Sequence, residues 1–237
     1  MIGLFTYANP RAIHFGAGSV SALGPELASL AARRIALVTT RSLVAEERLI
    51  SVVQGALGDA HVAMTAVIGQ HAPIGQVDET IRQGADAGVD GVVSFGGGSP
   101  IDAAKMLAVK LADRGAKAAR GLPHIAVPTT LSAAELAAGA GFTDDAGNKA
   151  GMRDPRLLPD AVIYDAELTL ATPMALWLSS GIRALDHAVE GLLAEGIHPF
   201  NDVMALEAIR RLFERILDEA RSVERTVMKD GDGKKES

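Results

Sequence analysis

Gly96-Gly97-Gly98-Ser99-Pro100 carries the clearest chemistry in the sequence. The glycines end a short apolar run, Val92, Val93 and Phe95, of the kind a buried parallel strand shows. A helix is predicted to start immediately afterwards. Ser99 suits the N-cap, Pro100 suits the first helical position, and Asp102 lies three residues past the cap, where a carboxylate favours the helix dipole. Glycines let backbone approach a ligand closely, and the free N–H groups of a helix start attract an anion. The place suits phosphate, and a dinucleotide pyrophosphate is its natural guest. The spacing is neither G-x-G-x-x-G nor a Walker loop, and a glycine turn that merely reverses the chain is the competing reading.

Other residues could serve the same ligand. Pro128-Thr129-Thr130-Leu131-Ser132 follows the apolar run at 125–127. Its hydroxyls can hydrogen-bond a ribose or phosphate, or simply cap the turn. Thr39-Thr40-Arg41 ends the apolar run at 34–39, where doubly wound sheets discriminate cofactors. Nothing there repels a 2′-phosphate; Arg41 could pair with one or be an ordinary surface charge. His71, before Ala72-Pro73, reads as an exposed loop residue. A second centre lies on the helix predicted at 180–194. There Arg183, His187 and Glu190, spaced by four and three, share a face apart from the apolar stripe of Ile182, Leu185, Val189 and Leu192. That face is either functional or a solvated, ion-paired surface.

The elements that must position these groups alternate. Helices are expected at 20–30, 43–57 and 76–88, and buried strands at 34–39, 63–68, 91–95, 125–127 and 159–165, with a polar hairpin turn at 143–149. This implies parallel βαβ units. At Thr172-Pro173 the pattern turns all-helical, with helices at 173–178 and 180–194 and a third from His198-Pro199-Phe200, whose stripe includes Leu206, Ile209, Leu212 and Phe213. The fold expected is α/β: a doubly wound, mainly parallel sheet over 1–171, an incomplete all-helical domain over 172–220, and a polar, disordered tail over 221–237.

Composition narrows the function. Of 237 residues 48% are hydrophobic, which excludes a disordered chain, and a net charge of −6 leaves no basic footprint for nucleic acid. No apolar run reaches the length of a membrane span and the first residues lack a signal peptide's charged start, so a cytoplasmic location is expected. With no cysteine, disulfides and thiolate ligands are excluded.

The stretch 96–105, read as GGGSPIDAAK, resembles the signature of the iron-containing (group III) alcohol dehydrogenase family, which includes the maleylacetate reductases. His14-Phe15-Gly16-Ala17-Gly18, Pro128-Thr129-Thr130, residues 181–190 and His198-Pro199-Phe200 match in the same order, and the resemblance spans about 8–217. It implies the dehydroquinate synthase-like architecture of that family. It also implies NAD(H) or NADP(H) as cofactor, held by Thr39, Thr40, Gly96, Gly97, Gly98, Ser99, Asp102, Thr129, Thr130, Ser132 and Lys149. The loop from Thr130 to Glu135 has the shorter spacing of maleylacetate reductases.

The sequence departs from the family at the metal site. Metal-dependent members carry an Asp and a His four apart on the 180–194 helix, with two further His downstream; here the Asp position is Arg183 and the His position His187. Asp186 is expected to point about 100° away around the axis. An arginine cannot ligate and repels a divalent ion. A divalent metal is therefore not expected unless partner ligands join His187.

The reading adopted is an NAD(P)H-dependent oxidoreductase resembling maleylacetate reductase, which reduces an unsaturated oxo-dicarboxylic acid such as maleylacetate to 3-oxoadipate in aromatic compound catabolism. Arg183 would bind a substrate carboxylate and His187 would donate a proton. Alternatives are an iron-type alcohol dehydrogenase and a truncated nucleotide-binding remnant without turnover. The uncovered apolar stripes are expected to be met by a homo-oligomer or a partner chain.

Overall fold

The computed structural model describes residues 9–115, 119–195 and 199–232, with side chains of the last helix described to Arg215. The chain divides into two compact units between Thr172 and Pro173.

The first unit opens with β1 (Ala12–Phe15), a 3₁₀ turn over 19–22, α1 (Leu23–Ser29), β2 (Ile35–Val38), α2 (Arg41–Val44), α3 (Glu47–Leu57), β3 (His61–Thr65) and α4 (Ile74–Asp86). It continues through β4 (Gly91–Gly96), α5 (Gly98–Asp113), β5 (His124–Pro128), the antiparallel hairpin β6 (Gly139–Thr143) and β7 (Lys149–Arg153), then β8 (Ala161–Tyr164) and α6 (Ala166–Thr169). Six strands form one parallel sheet in the order β1-β8-β5-β4-β2-β3. The chain passes outward from β2 to β3 and returns across β2 to β4 on its other side. The winding therefore reverses between β2 and β4, and the carboxyl ends of those strands, at Thr39 and Gly96, flank the crevice where open α/β sheets bind ligands.

Alternation along the central strands builds two apolar layers. Ile35 and Leu37 of β2, Val93 and Phe95 of β4, and Ile125 and Val127 of β5 pack on one face with α1 and α3. Val38 and Val92 face the other side with α4 and α5. Because both faces are covered, the strands read as unbroken apolar runs. Helix α5 is buried along most of its length, and its small residues Ala103, Ala104, Ala108 and Ala112 let it lie close to the sheet. Phe95 is fully buried at the centre.

Several local expectations change. The sheet begins one strand earlier than Ile35, with β1 beside β8 in register Ala12↔Ala161 to Phe15↔Tyr164. As an edge strand it leaves Phe15 81% exposed, which hides it from a search for buried runs. The helix expected over 43–57 is interrupted at Glu46, whose backbone (φ −83°, ψ 72°) is not helical. The break lets Leu43 turn against Gly96, with Cδ1 3.1 Å from where a Cβ at 96 would sit. Helix α5 starts at Gly98 with Gly97 as cap, so Ser99 is not the N-cap.

The second unit holds α7 (Met174–Leu193) and α8 (Pro199–Asp232). One continuous α7 replaces the two helices expected over 173–194. Ser179-Ser180-Gly181 does not break it, and the serine hydroxyls donate to the carbonyls of Leu176 (3.1 Å) and Trp177 (2.9 Å) of the same helix. The two helices pack together; Ala205 is buried and Asn201 Nδ2 donates to Gly191 O at 3.0 Å. The tail expected to be disordered from residue 221 is helical backbone to Asp232, and residues 233–237 lie outside the described residues. Ion pairs of Arg210 with Glu207 and Glu214, and of Arg211 with Glu207, support α8 upstream of that stretch. Ile182, Val189, Leu193, Val203, Leu206 and Phe213 stay exposed. No helix of the described residues is long and apolar enough to cross a membrane.

Candidate functional site

The first turn of α5 has no side-chain cap. Its cap is Gly97, in extended conformation, and the peptide before it turns at Gly96 with φ +143°. Only glycine tolerates that angle here: a Cβ at 96 would stand 2.8 Å from Pro100 Cγ. The uncapped N–H groups of a 16-residue helix thus open at the carboxyl end of β4, beside the reversal point of the sheet. Uncapped donors and the helix dipole together favour an anion there.

The loop after β5 lies on the glycines. Thr129 N donates to Gly96 O at 2.9 Å, and Thr129 O accepts from Thr172 Oγ1 at 2.8 Å. Thr130 Oγ1 and Cγ2 both lie 3.2 Å from the position a Cβ at Gly97 would take, and Ser132 Oγ lies 3.4 Å from that at Gly98. The room left by the missing side chains is thus bordered by hydroxyls. The fold brings together Gly96, Gly97, Gly98, Thr129, Thr130 and Ser132.

Other candidates occupy different roles. Ser99 Oγ accepts from the His71 N–H at 3.0 Å, which ties the loop before α4 to the start of α5. His71 and Ala72 both adopt left-handed backbone (φ 62° and 46°), and Thr143 holds them through its N–H to Ala72 O and its hydroxyl to His71 O. Lys149 is exposed and pairs in register with Thr143, so it belongs to the same edge of the unit. Thr40 caps α2 by accepting from Leu43 N, and Thr39 is fully buried, its Oγ1 without a partner among the described residues. At the exposed Gly16–Ser19 turn, Asp165, itself buried, accepts from Gly18 N at 3.1 Å and Val20 N at 3.0 Å. His14 Nε2 lies 2.7 Å from Glu26.

Beneath the turn is a polar cluster that motif reading names only in passing. Asp102 Oδ2 accepts from Gly141 N at 3.0 Å and its Oδ1 lies 3.4 Å from Lys105 Nζ. Asp102 is thus held inside the protein. Burial pushes its carboxyl up and the Lys105 ammonium down from their ordinary values, while their mutual attraction opposes both shifts. Glu135, also pushed up by burial, accepts from Tyr164 Oη at 3.0 Å. The signal that could have pointed to Lys105 is a lysine in the middle of an apolar helix face.

On α7, Arg183, Asp186, His187 and Glu190 are all exposed, and His187 Nδ1 lies 3.2 Å from Glu190 Oε2. Contrary to the expectation from helical spacing, one ligand atom each from Asp186, His187 and Glu190 lies within 4.8 Å of the others, because the side chains reach across the turn. An imidazole and two carboxylates are donors that a first-row divalent ion accepts, although three ligands leave its coordination incomplete. His198 lies outside the described residues.

Sheet order, reversal point and uncapped helix start define a doubly wound domain of the α/β class. Residues 10–166 match the model of the family described as iron-containing alcohol dehydrogenase, and the chain belongs to that family. It is 37% identical over 210 residues to maleylacetate reductase of Pseudomonas sp. strain P51, covering 87% of this chain and 55% of the relative. Among solved structures it is similar to maleylacetate reductase from Agrobacterium tumefaciens, with a TM-score of 0.78 and 31% identity over 91% of this chain and 58% of the other. It is also similar to sulfoacetaldehyde reductase from Bifidobacterium kashiwanohense in complex with NAD+, with a TM-score of 0.82 and 25% identity over 90% and 60%. The chain spans about half the length of the curated relatives it matches.

Proposed function

We propose that this chain carries the dinucleotide-binding half of an NAD(P)H-dependent reductase of the maleylacetate reductase kind. The observation that carries the reading is the uncapped start of α5 at the sheet's reversal point, with hydroxyls bordering its glycines. A bound dihydronicotinamide would supply a hydride to the carbon–carbon double bond of an unsaturated oxo-dicarboxylic acid. The residues of this chain bind and orient: the N–H groups of Gly98 and Ser99 take the pyrophosphate, and Thr129, Thr130 and Ser132 take the nucleotide. Asp102 holds the neighbouring backbone. Exposed Arg41 leaves room for either NADH or NADPH. Arg183 would engage a substrate carboxylate, with His187 as proton donor. The exposed apolar residues of α7 and α8 would be covered by a second copy or a partner chain.

One observation favours a second reading, an iron-type alcohol dehydrogenase. It is the grouping of Asp186, His187 and Glu190, which would hold a divalent ion through three ligand atoms. Fluorescence titration with NADH and NADPH, followed by assays with maleylacetate and with simple alcohols, with and without ferrous ion, separates the readings. Saturable binding and metal-independent reduction of maleylacetate support the first, and metal-dependent alcohol oxidation the second. Binding without turnover leaves a nucleotide-binding module, and no binding removes the glycine turn as a nucleotide site.

A further inference from the structure

The Lys105 side chain is fully buried, on a helix where Ile101, Ala104, Ala108 and Val109 around it are buried as well. A lysine so placed must spend every donor on protein acceptors. It does: Nζ donates to the carbonyls of Ala134, Ala137 (2.9 Å) and Gly139 (2.7 Å), with the Asp102 carboxylate farther off at 3.4 Å. Three carbonyls match the three N–H bonds of an ammonium. A neutral amine has two, and would turn its lone pair toward the third oxygen.

All three carbonyls lie in residues 134–139, the segment that follows the hydroxyl loop over the glycines. One turn earlier on the same helix, Asp102 accepts from Gly141 N. Two side chains of α5 therefore grip the backbone from 134 to 141 at four points. The residue just before the gripped stretch, Ala133, is left-handed (φ 55°, ψ 15°), a conformation that an alanine keeps only where its surroundings hold it. Ser132 and Thr130 lie immediately upstream, against Gly98 and Gly97.

We propose that Lys105 is a positioning residue for the dinucleotide site: its ammonium clamps 134–139 to α5 and so holds Thr130 and Ser132 over the glycine turn that begins the same helix. The inference rests on the reading of that turn as the dinucleotide site. The clamp is specific to an ammonium. A guanidinium is planar and wider, and its forked donors do not converge on three carbonyls as a tetrahedral –NH₃⁺ does. A methionine fills the space but leaves three buried carbonyls without donors.

The test uses the full chain with Lys105→Gln, Lys105→Met and Lys105→Ala, NADH titration by fluorescence, and hydrogen exchange of residues 131–139. Expected are a tenfold or greater weakening of NADH binding in the Gln and Met variants, faster exchange confined to that segment, and recovery of affinity in Lys105→Ala on adding ethylammonium but not ethanol. Folded variants that bind NADH like the parent overturn the clamp, as does a loss of affinity that ethylammonium leaves unchanged in a folded Ala variant. If the Met and Ala variants fail to fold, Lys105→Gln, which retains two donors, decides by the same comparison of affinity and exchange. Failure of the parent chain to bind NADH sinks the underlying site reading instead, so the two failures are distinct.

Discussion

Thr130 stands over Gly97, with Oγ1 and Cγ2 both 3.2 Å from the point where a Cβ at 97 would lie. That separation is tight for a real Cβ, so any side chain at 97 displaces Thr130, and the glycine sets how far the β5 loop closes on α5. Gly97→Ala is expected to push Thr130 outward by a few tenths of an ångström with little loss of stability. Gly97→Val should weaken NADH binding by tenfold or more. Titration of both variants beside thermal melts checks this, and normal affinity in Gly97→Val would remove the close approach from the site.

Gly96 is constrained by conformation as well as by space. Its φ of +143° and the 2.8 Å approach of a Cβ to Pro100 Cγ make Gly96→Ala a backbone defect at the start of α5. The expected cost is about 2 kcal/mol or more in unfolding free energy, read by denaturant titration. A loss under about 0.5 kcal/mol would show that the turn adapts.

His124 makes the first unit acid-sensitive. It is buried between strands with Nε2 2.9 Å from Ser94 Oγ, and burial, aided by Lys105, pushes its pKa from 6.5 down to about 3. Below pH 6.5 the unfolded chain takes up a proton that the folded chain refuses until about pH 3. Stability should therefore fall as pH drops through this window, by roughly 1 kcal/mol per unit from this residue, and the residue contributes no pH dependence above it. Melting temperatures from pH 7 to 4 should decline less steeply in His124→Gln; parallel slopes would assign the acid sensitivity elsewhere.

Asp165 joins the turn after β1 to the start of α6. It accepts from Gly18, Val20 and Glu167 N–H groups while buried. Asp165→Ala strands donors in the interior and is expected to cost about 2–4 kcal/mol, while Asp165→Asn, which keeps one acceptor oxygen, costs less. Equal melting temperatures for the two variants would contradict this account.

Binding of the dinucleotide should not depend on metal. The glycine turn and its hydroxyl border offer backbone N–H and alcohol groups, whereas the grouped Asp186, His187 and Glu190 lie on α7. EDTA is expected to leave the NADH dissociation constant unchanged within about twofold. A larger change would tie the nucleotide site to a bound ion.

Sequence alone determined the alternation of apolar runs and amphipathic segments, hence the parallel sheet, and the glycine turn with its following helix. Buried strands and an α-helix start are written in local composition: Val92, Val93 and Phe95 must be covered on both sides, and Gly96 answers a backbone angle that few other residues accept. The hairpin around Asp144–Asn148 was legible for the same local reason. What tertiary structure decided depends on partners distant in the chain. Edge strand β1 exists because β8, nearly 150 residues on, offers it hydrogen bonds. The helix breaks at Glu46 with Leu43 set beside Gly96, and α7 runs on through Ser179-Ser180-Gly181 with the hydroxyls met by its own carbonyls. Lys105 reads as one more helical lysine until the fold buries it and brings three carbonyls from residues 134–139 to its Nζ. A charge deep inside a protein persists only where its donors are met, and such a meeting is a property of the folded chain.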